Sequence, residues 1–424
     1  MYTAWSPMIP VADARSFVLR DLTALPAVHT ALDDALDCVA SDAVLARHPV
    51  PGFTNSSMDG YALIAADTLA APAHLRVTGS IMAGDTPSVS LRAGEAVRIM
   101  TGAALPEGAD AVCKIEDVVV EEDGAVVIIS AAIRQGDCVR HPGEDIAVGQ
   151  TLVARGDVLG PARLGVLASQ GFTSVMVHPR PRVGVLSTGN ELSDAPDPMA
   201  IGKIRDTNRP ALLASLRQSG FDATDLGRAS DDETEIATRL NEGLAHCDAI
   251  VTTGGVSVGD VDFVKTVLSQ LCGDRAQWMQ VAVRPGKPFA FGIAGPIGTP
   301  IFGLPGNPVS TLASFELFVR PALRLLAGYQ FLERPTVSAV LDCALPRHRD
   351  GKLHLVHVGG VFHDDGRLHI ERAAREGSHL LSAIAGANAI ALVPDGEGLA
   401  PGDEVRTILL DVSTWMAAPL EESQ

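Results

Sequence analysis

The spacing of apolar residues changes along the chain and predicts different secondary structure in successive segments. Between residues 1 and 49, apolar residues recur three and four positions apart in Ala12–Leu22 and Thr30–Ala40, which predicts two helices. From Pro51 to about Gly143, short β-type runs are separated by Gly, Pro and Asp turns. The strands predicted in this β-rich region are His74–Ser80, Ala96–Met100, Ala111–Ile115 and Ala125–Ser130.

A regular alternation of strand and helix begins after Pro181. The apolar run Arg182–Ser187 is typical of a parallel strand that is buried on both faces. This spacing predicts a doubly wound sheet, in which ligands bind beyond the carboxyl ends of the strands. The further elements predicted here are strands at Phe221–Leu226 and Ala249–Thr253, helices at Pro210–Ser219, Glu233–Ala245 and Asp262–Leu271, and a helix opened by Pro305–Pro308.

Short strands return after Gly328 and predict a small barrel or sandwich. They are Thr336–Leu341, Lys352–Val358, Arg367–Glu371, Ala389–Val393 and Asp403–Leu410. A helical stretch between Asp145 and Val177 could pair with the first helices, which would make the β-rich region an insertion. The predicted fold class is therefore α/β plus β, in a multidomain chain. The predicted domains are residues 1–49 with 145–180, then 50–144, 181–328 and 329–424.

The charge balance limits the classes of partner. The chain has 33 Lys and Arg against 51 Asp and Glu, a formal charge of −18, which repels nucleic acid and anionic membranes. Any site for a polyanion therefore needs bound cations, helix N-termini or a local basic cluster. The six cysteines are dispersed without a CxxC pair, and the sequence has no secretory signal or membrane span, so we expect a cytoplasmic protein.

A glycine loop, Gly254–Asp260, lies between a predicted strand and a predicted helix. Strand, glycine loop and helix form the usual setting of a phosphate cradle, but Asp260 stands where a P-loop has lysine. The acidic residue therefore does not bind phosphate directly. It could cap the helix, or it could bind a divalent metal that bridges to phosphate. Considered alone, the loop favours the helix cap.

Several other carboxylates follow predicted strands of the same sheet: Glu191, Asp206, Asp231, Asp260 and Asp262. They would converge on one rim, where a cluster of acids is costly unless Mg²⁺ neutralises it. Each of them could instead cap a helix. Basic residues also occur nearby, with Arg284 and Lys287 in one turn and Lys265 on the helix after the glycine loop. Metal ligands together with basic groups indicate a phosphorylated substrate, whereas scattered surface lysines are the simpler alternative.

Two polar loops in the β-rich region, Asn55–Ala62 and Arg98–Ala103, are turns by their chemistry alone. No Ser-His-Asp order, zinc spacing or HExxH motif is present. Eight segments nevertheless resemble one known family: PGFTNSSMDGYA (51–62), RIMTGAALPEGADAV (98–112), RHPGEDI (140–146), LSTGNEL (186–192), RDTNRP (205–210), TTGGVSVGDVDFVK (252–265), RPGKPFAFG (284–292) and GLPGNPVS (303–310). These motifs strongly resemble the molybdopterin molybdotransferase family, which includes the bacterial molybdenum-insertion enzyme and the E domain of gephyrin.

The resemblance implies a homodimer of elongated subunits, each with a mixed domain, an inserted β-rich domain, a three-layer α/β domain and a C-terminal β-barrel. It implies that the protein inserts molybdate into adenylylated molybdopterin and releases AMP with Mg²⁺ present, forming molybdenum cofactor. Bound Mg²⁺ and basic residues would reconcile these anionic substrates with an acidic chain. The adenylylating enzyme of the same pathway is a candidate partner, whereas nucleic acid and membranes are not.

The family motifs also suggest roles for individual residues. Asp59, Thr101 and Asp145 match residues near molybdate insertion, which we expect to lie across the dimer interface from the α/β domain. The expected catalytic residues are Asp59, Thr101, Asp145, Glu191, Lys265 and Lys287. The expected substrate-binding residues are Gly254, Gly255, Ser257, Gly259, Arg284, Pro305, Asn307 and Ser378, and the expected metal ligands are Asp206, Asp231, Asp260 and Asp262.

Two positions depart from the family pattern. Gln280 stands where a basic residue is common, and His357 stands where many members have arginine. If His357 contacts an anion, we expect the anion to raise its pKa, so that binding weakens toward pH 8. Arg372 or Arg375 could meet the anion instead. The departures leave open that the chain is a paralogue that binds cofactor or acts as a scaffold. A more distant alternative is a nucleotide pyrophosphatase that uses the same α/β domain.

Overall fold

The computed structural model describes residues 8–194, 200–256, 263–373 and 381–410, apart from the side chains of Glu122 and Ala383. The chain divides into two compact units. The first comprises the described residues among 1–29, 37–41 and 176–424, and the second comprises residues 30–36 and 42–175. In the described part of the chain, no helix is both long and apolar enough to cross a membrane. The four predicted domain boundaries stay a prediction.

The first predicted helix is present and the second is not. Helix α1 (Val11–Arg20) buries Ala14 and Val18, as its apolar spacing predicts. The helix predicted at Thr30–Ala40 is wrong. The segment instead forms strand β1 (Val28–Ala31), a 3₁₀ turn (Leu32–Asp34) and strand β2 (Val39–Ala40). Asp37 has a φ of 61°, which ends helical geometry, and β2 pairs with the strand Ser174–His178.

The second unit is rich in strands. Its six-stranded sheet has the order β8-β5-β7-β6-β10-β9, and apolar side chains are buried on both of its faces. The strands of this unit are β3 (Val44–Leu45), β4 (Asn55–Ser56), β5 (Gly60–Leu63), β6 (Ala73–Ile81), β7 (Glu95–Ile99), β8 (Ala111–Lys114), β9 (Val118–Glu121), β10 (Val126–Ile129), β11 (Val139–Arg140) and β12 (Thr151–Val153). Helix α2 (Pro161–Ser169) follows, with proline at its first position, and leads to β13 (Ser174–His178).

The α/β part of the first unit has a six-stranded sheet in the order β17-β14-β18-β22-β21-β19. The first four strands in this order are parallel, whereas β21 and β19 pair antiparallel at one edge. Its elements are β14 (Arg182–Thr188), β15 (Leu192–Ser193), β16 (Ile204–Arg205), α3 (Asn208–Gln218), β17 (Asp222–Ala229), α4 (Glu233–His246), β18 (Ala249–Thr253), α5 (Phe263–Cys272), β19 (Ala276–Gln280), β20 (Val283–Arg284), β21 (Pro288–Ala294), β22 (Thr299–Leu304), α6 (Pro308–Ser314), a π-helical turn (Phe315–Val319) and α7 (Arg320–Leu326).

The sheet is covered by helices on both faces because its strands are apolar on both faces. Successive side chains of a strand point to opposite sides, so Val183 and Val185 face one way and Leu186 faces the other. The first two pack in one core with Leu212 and Leu216 of α3. Leu186 packs in a second core that includes α4 and α5. This arrangement leaves the carboxyl ends of the parallel strands as the place where loops can form a site.

The C-terminal segment forms a closed barrel of five strands. Its strand order is β25-β26-β23-β29-β27, and pairing of β27 with β25 closes it. Strand β20 adds to β25 at the side of the barrel. The elements are β23 (Thr336–Leu341), β24 (Leu345–Pro346), β25 (Leu353–Phe362), β26 (Leu368–Arg372), α8 (Leu381–Ile384), β27 (Ala389–Val393), β28 (Gly398–Leu399) and β29 (Glu404–Leu409). The barrel alternative of the prediction is therefore confirmed.

Candidate functional site

A cavity of about 460 Å³ lies at the carboxyl ends of β14, β18 and β22. This is the position at which a parallel sheet covered on both faces binds ligands. The lining combines carboxylates, hydroxyls and glycine backbone with a few apolar side chains. The lining residues are Thr188, Gly189, Glu191, Leu192, Ile204, Asp206, Asn208, Asp231, Thr253, Gly254, Gly255, Val256, Pro288, Pro305, Gly306 and Asn307.

Asn208 links separate segments of the cavity lining by hydrogen bonds. Its side-chain Nδ2 donates hydrogen bonds to Thr253 Oγ1 at 2.8 Å and to the carbonyl oxygen of Gly306 at 2.7 Å. The residue thus joins the start of α3 to the ends of β18 and β22. Within the described part of the chain, Asn208 Oδ1 is buried and accepts no hydrogen bond. A buried acceptor without a partner is costly, so this oxygen favours a ligand that carries a donor.

Gly254 is required by the close approach of two strand ends. Its φ is 95°, and its N–H donates to the carbonyl oxygen of Leu304. A Cβ at this position would lie 2.4 Å from the carbonyl oxygen of Thr188, which is shorter than any real contact of that kind. Only glycine fits both the backbone angle and the space. The glycine therefore lets β14 and β18 present their last residues to one cavity.

Two of the predicted carboxylates face the cavity in exposed or half-buried positions. Glu191 follows β14, and Asp231 lies in the turn before α4. Asp231 is held by Asn190, whose N–H donates to Asp231 Oδ2 at 3.0 Å while its Oδ1 accepts from the Asp231 N–H at 3.2 Å. The turn is therefore fixed to the loop after β14. Oxygen donors of this kind suit Mg²⁺.

Asp206 also lines the cavity, but its charge is already compensated. Its side chain is 1% exposed and accepts hydrogen bonds from the Ser187 hydroxyl and from Arg209 Nε, the latter at 2.9 Å. Arg209 also bonds Asp225 at 2.6 Å and Asp194 at 2.8 Å. Burial lowers the pKa of Arg209, but the hydrogen bonds to Asp206 and Asp225 outweigh this effect, so the net pKa is raised. Asp206 is thereby held in a buried ion pair with Arg209.

The predicted basic residues are not among the described residues that line this cavity. Lys265 lies in the first turn of α5, Arg284 ends β20, and Lys287 is exposed directly before the lining residue Pro288. Five predicted site residues lie outside the described part of the chain: Ser257, Gly259, Asp260, Asp262 and Ser378.

Asp59 and Thr101 meet in the second compact unit. Asp59 Oδ1 accepts hydrogen bonds from both the N–H and the hydroxyl of Thr101, each at 2.7 Å. These bonds, with the backbone one contributing most, lower the pKa of Asp59. Asp145 belongs to the same unit, where it is exposed and its N–H donates to the carbonyl oxygen of Val50.

Thr101→Val is expected to raise the pKa of Asp59. Valine has the shape of threonine but lacks the hydroxyl donor, so the charged carboxylate loses one of its two hydrogen bonds. The pKa should stay below its ordinary value because the backbone N–H remains. The carboxyl carbon chemical shift of Asp59, followed against pH, measures this change. Thr78→Val is the control, since its hydroxyl faces the carbonyl oxygen of Ala96 rather than a carboxylate. An unchanged Asp59 titration in Thr101→Val would contradict the assignment.

His357 occupies a position on the barrel where its imidazole is desolvated. It lies on β25 of the barrel, opposite Ile390 of β27, and burial lowers its pKa to about 4. The upward shift applies to a His357 in contact with an anion and stays a prediction, whereas in the protein alone desolvation disfavours the charged imidazole. His357 is therefore neutral between pH 6 and 8.5. Of the two alternative arginines, Arg372 ends β26 and Arg375 lies outside the described residues.

His357→Gln is expected to reduce the acid sensitivity of the fold. The unfolded chain protonates His357 near its ordinary pKa of 6.5 and the folded chain only near 4. The unfolded state therefore binds more protons in this window, and stability falls as the pH falls from 6.5 to 4, by about 3 kcal/mol at most. Urea unfolding of both proteins at pH 7 and pH 4.5 checks this. His348→Gln, at an exposed position, should behave like the native chain.

Sequence reasoning missed several lining residues, of which Thr188, Asn208 and Thr253 carry polar groups. Their signal was present: Thr188 follows the predicted strand Arg182–Ser187 directly, and Thr253 is the last residue of another predicted strand. Asn208 stands two residues after Asp206. Uncharged polar residues at the carboxyl ends of predicted parallel strands are site candidates just as carboxylates are, because the sheet brings all these ends to the same edge.

Three family models together match most of the chain. The model of the MoeA N-terminal region, domains I and II, matches residues 9–171. The probable molybdopterin binding domain matches residues 184–325, which include every lining residue of the cavity. The model of the MoeA C-terminal region, domain IV, matches residues 339–410.

Similar proteins extend over the whole chain. The molybdopterin molybdenumtransferase of Haemophilus influenzae is 34% identical over 404 residues, covering 95% of this chain and 98% of that protein. The protein of the same name from Bacillus subtilis is 34% identical, covering 93% of each. The crystal structure of the molybdopterin biosynthesis MoeA protein from Pyrococcus horikoshii OT3 superposes with a TM-score of 0.78 at 27% identity, covering 95% of this chain and 100% of that one. The chain therefore belongs to the molybdopterin molybdenumtransferase family.

Proposed function

We propose that the chain is a molybdopterin molybdotransferase, which inserts molybdate into adenylylated molybdopterin and releases AMP. The observation that carries this proposal is the cavity at the carboxyl ends of β14, β18 and β22. It combines two accessible carboxylates with the backbone of Gly254 and Gly255, which carry no side chain that could obstruct a ligand. It also contains the buried amide oxygen of Asn208. Membership of the family supports the same reaction.

Glu191 and Asp231 fit a divalent cation in this cavity. Both offer carboxylate oxygens, the donors that Mg²⁺ prefers, and both line the same space. Mg²⁺ bound there would neutralise phosphate oxygens of the substrate. Asp260 and Asp262 stay candidates by their motif. Asp206 is better suited to position Arg209 and the loop after β16, because its carboxylate is buried in an ion pair.

The remaining lining groups suit the organic part of the substrate. The backbone N–H groups of Gly255 and Gly306, which both line the cavity, can approach phosphate without side-chain obstruction. Asn208 Oδ1 would accept a hydrogen bond from an N–H of a pterin or adenine ring. Lys265, Arg284 and Lys287 would supply positive charge from neighbouring segments, with Ser257, Gly259 and Ser378 as further contacts by their motifs.

Further parts of the proposal concern the second unit and the assembly. Asp59, Thr101 and Asp145 would act on molybdate, and the hydrogen bonds that keep Asp59 ionised are compatible with orienting a molybdate hydroxyl. A homodimer is expected, which sedimentation at assay concentration tests, since a fully active monomer would oppose it. A cytoplasmic location and a partner enzyme that supplies the adenylylated substrate complete the proposal.

The test is product analysis by mass spectrometry. The chain is incubated with adenylylated molybdopterin and Mg²⁺, with and without molybdate. Release of AMP together with a molybdenum-bearing pterin, both dependent on molybdate, supports the transferase. AMP release that is indifferent to molybdate would indicate a pyrophosphatase instead. Tight binding without turnover would indicate a cofactor-binding or scaffold protein.

A further inference from the structure

A second cluster of potential metal ligands lies on the C-terminal barrel. One ligand atom each from Asp342, His363 and His369 falls within 4.8 Å of the other two. None of these residues lines the cavity at the carboxyl ends of the α/β sheet. They were not among the residues that the sequence motifs single out.

The barrel brings these three residues together from separate strands. His369 lies on β26, and the parallel pairing of β23 with β26 brings Asp342, directly after β23, beside it. The N–H of Asp342 donates to the carbonyl oxygen of Ile370, which fixes that position. His363 directly follows β25, in the turn that joins β25 to β26. Backbone pairing therefore fixes the positions in the chain from which the three side chains extend.

The two nitrogens of His369 face different carboxylates. Its Nδ1 lies 2.8 Å from Asp342 Oδ1, and its Nε2 lies 3.2 Å from Asp365 Oδ2. A metal ion bound by Nδ1 and by Asp342 would leave the Nε2–H donating to Asp365. An imidazole that binds metal through one nitrogen and donates to a carboxylate through the other is the usual arrangement at such sites.

His363 completes the ligand set from the exposed side. Its ring stacks on that of His369, with centroids 4.0 Å apart and planes inclined by 5°. Ligand atoms around a tetrahedral ion are roughly 3.3 Å apart, so His369 Nδ1 and Asp342 Oδ1, which are 2.8 Å apart, must separate slightly and His363 must adjust its position to join them. Rotation of the exposed His363 side chain can provide this. The adjoining cavity of about 450 Å³, lined by Phe362–Asp365 and His369, leaves room for the ion and its water.

We propose that Asp342, His363 and His369 bind a divalent transition metal ion of the Zn²⁺ type, with Asp365 orienting His369. Two imidazoles and one carboxylate favour such ions over Mg²⁺ and Ca²⁺, which take oxygen ligands. Three protein ligands leave a fourth position for water. The site is separate from the proposed molybdotransferase site and does not depend on it.

The test uses Co²⁺ as the probe, because its visible absorption reports the coordination by nitrogen and oxygen ligands. The full-length chain is titrated with Co²⁺ in excess Mg²⁺, which occupies sites made of oxygen ligands alone, and Zn²⁺ is then added in competition. We expect one equivalent of Co²⁺ to bind and to be displaced by Zn²⁺. His363→Ala and His369→Asn should each weaken binding at least ~10-fold, in line with the loss of a ligand.

A control variant and a check of folding accompany this test. His348→Gln removes another exposed histidine of the barrel and should change the affinity less than ~2-fold. His363 is exposed and His363→Ala therefore leaves the fold intact, which circular dichroism verifies, so its result stands even if His369→Asn loses stability. Absence of Co²⁺ binding to the native chain would overturn the proposal. Binding with native affinity in both cluster variants would overturn it as well.

Discussion

Replacing Asp231 with asparagine is expected to lower the rate of molybdenum cofactor formation on the order of 100-fold or more. The amide keeps the volume of the side chain and can still accept from the N–H of Asn190, so the turn before α4 should survive. It removes the negative charge that would hold a cation in the cavity. A factor of 100 corresponds to about 2.7 kcal/mol, which is within the contribution of a metal ion to transition-state stabilisation. The Mg²⁺ concentration for half-maximal activity should also rise.

The neighbouring residue provides the matched control for this experiment. Asp232 is the N-cap of α4, where its side chain accepts from the Glu235 N–H at 2.9 Å, and it does not line the cavity. Asparagine is an equally good N-cap, so Asp232→Asn should retain activity within about 2-fold. If Asp231→Asn instead showed native turnover at every Mg²⁺ concentration, Asp231 would have only a structural role.

Gly254→Ala is expected to cost about 3–5 kcal/mol of unfolding free energy and to abolish substrate binding. An alanine pays about 1–2 kcal/mol for a positive φ. Its Cβ would in addition lie 2.4 Å from the carbonyl oxygen of Thr188, so the ends of β14 and β18 would have to separate. Because both strand ends line the cavity, the same displacement should open the site. Urea unfolding and a substrate-binding titration measure the two effects.

Gly220→Ala separates the cost of the positive φ from the cost of the contact with Thr188. Gly220 has a φ of 82° at the end of α3, and a Cβ there would meet no atom within 4 Å. This variant should therefore show only the backbone cost of about 1–2 kcal/mol and should bind substrate normally. If Gly254→Ala and Gly220→Ala lost the same unfolding free energy, the contact between the new Cβ and Thr188 would have no energetic effect.

The order of the secondary-structure elements could be predicted because each depends on neighbouring residues. Strands β18, β23 and β27 occur at the predicted bounds, since a short apolar run between turn residues has few other conformations. Thr30–Ala40 shows where this fails. Its apolar spacing is helical, but β2 pairs with β13, a strand more than 130 residues further along the chain, and that pairing outweighs the local preference.

The sequence by itself determined the family, through its motifs, and the place of the main cavity, because parallel strands deliver their carboxyl ends to one edge. Only the tertiary structure distinguished acidic residues that have the same local sequence setting. Asp206 and Asp231 both follow strands and both line the cavity, yet only Asp206 is buried against Arg209. The charge state of His357 and the cluster of Asp342 with His369 likewise depend on burial and strand pairing between distant segments. Desolvation and close charge pairing act through space, so their effect on a side chain follows from its tertiary neighbours.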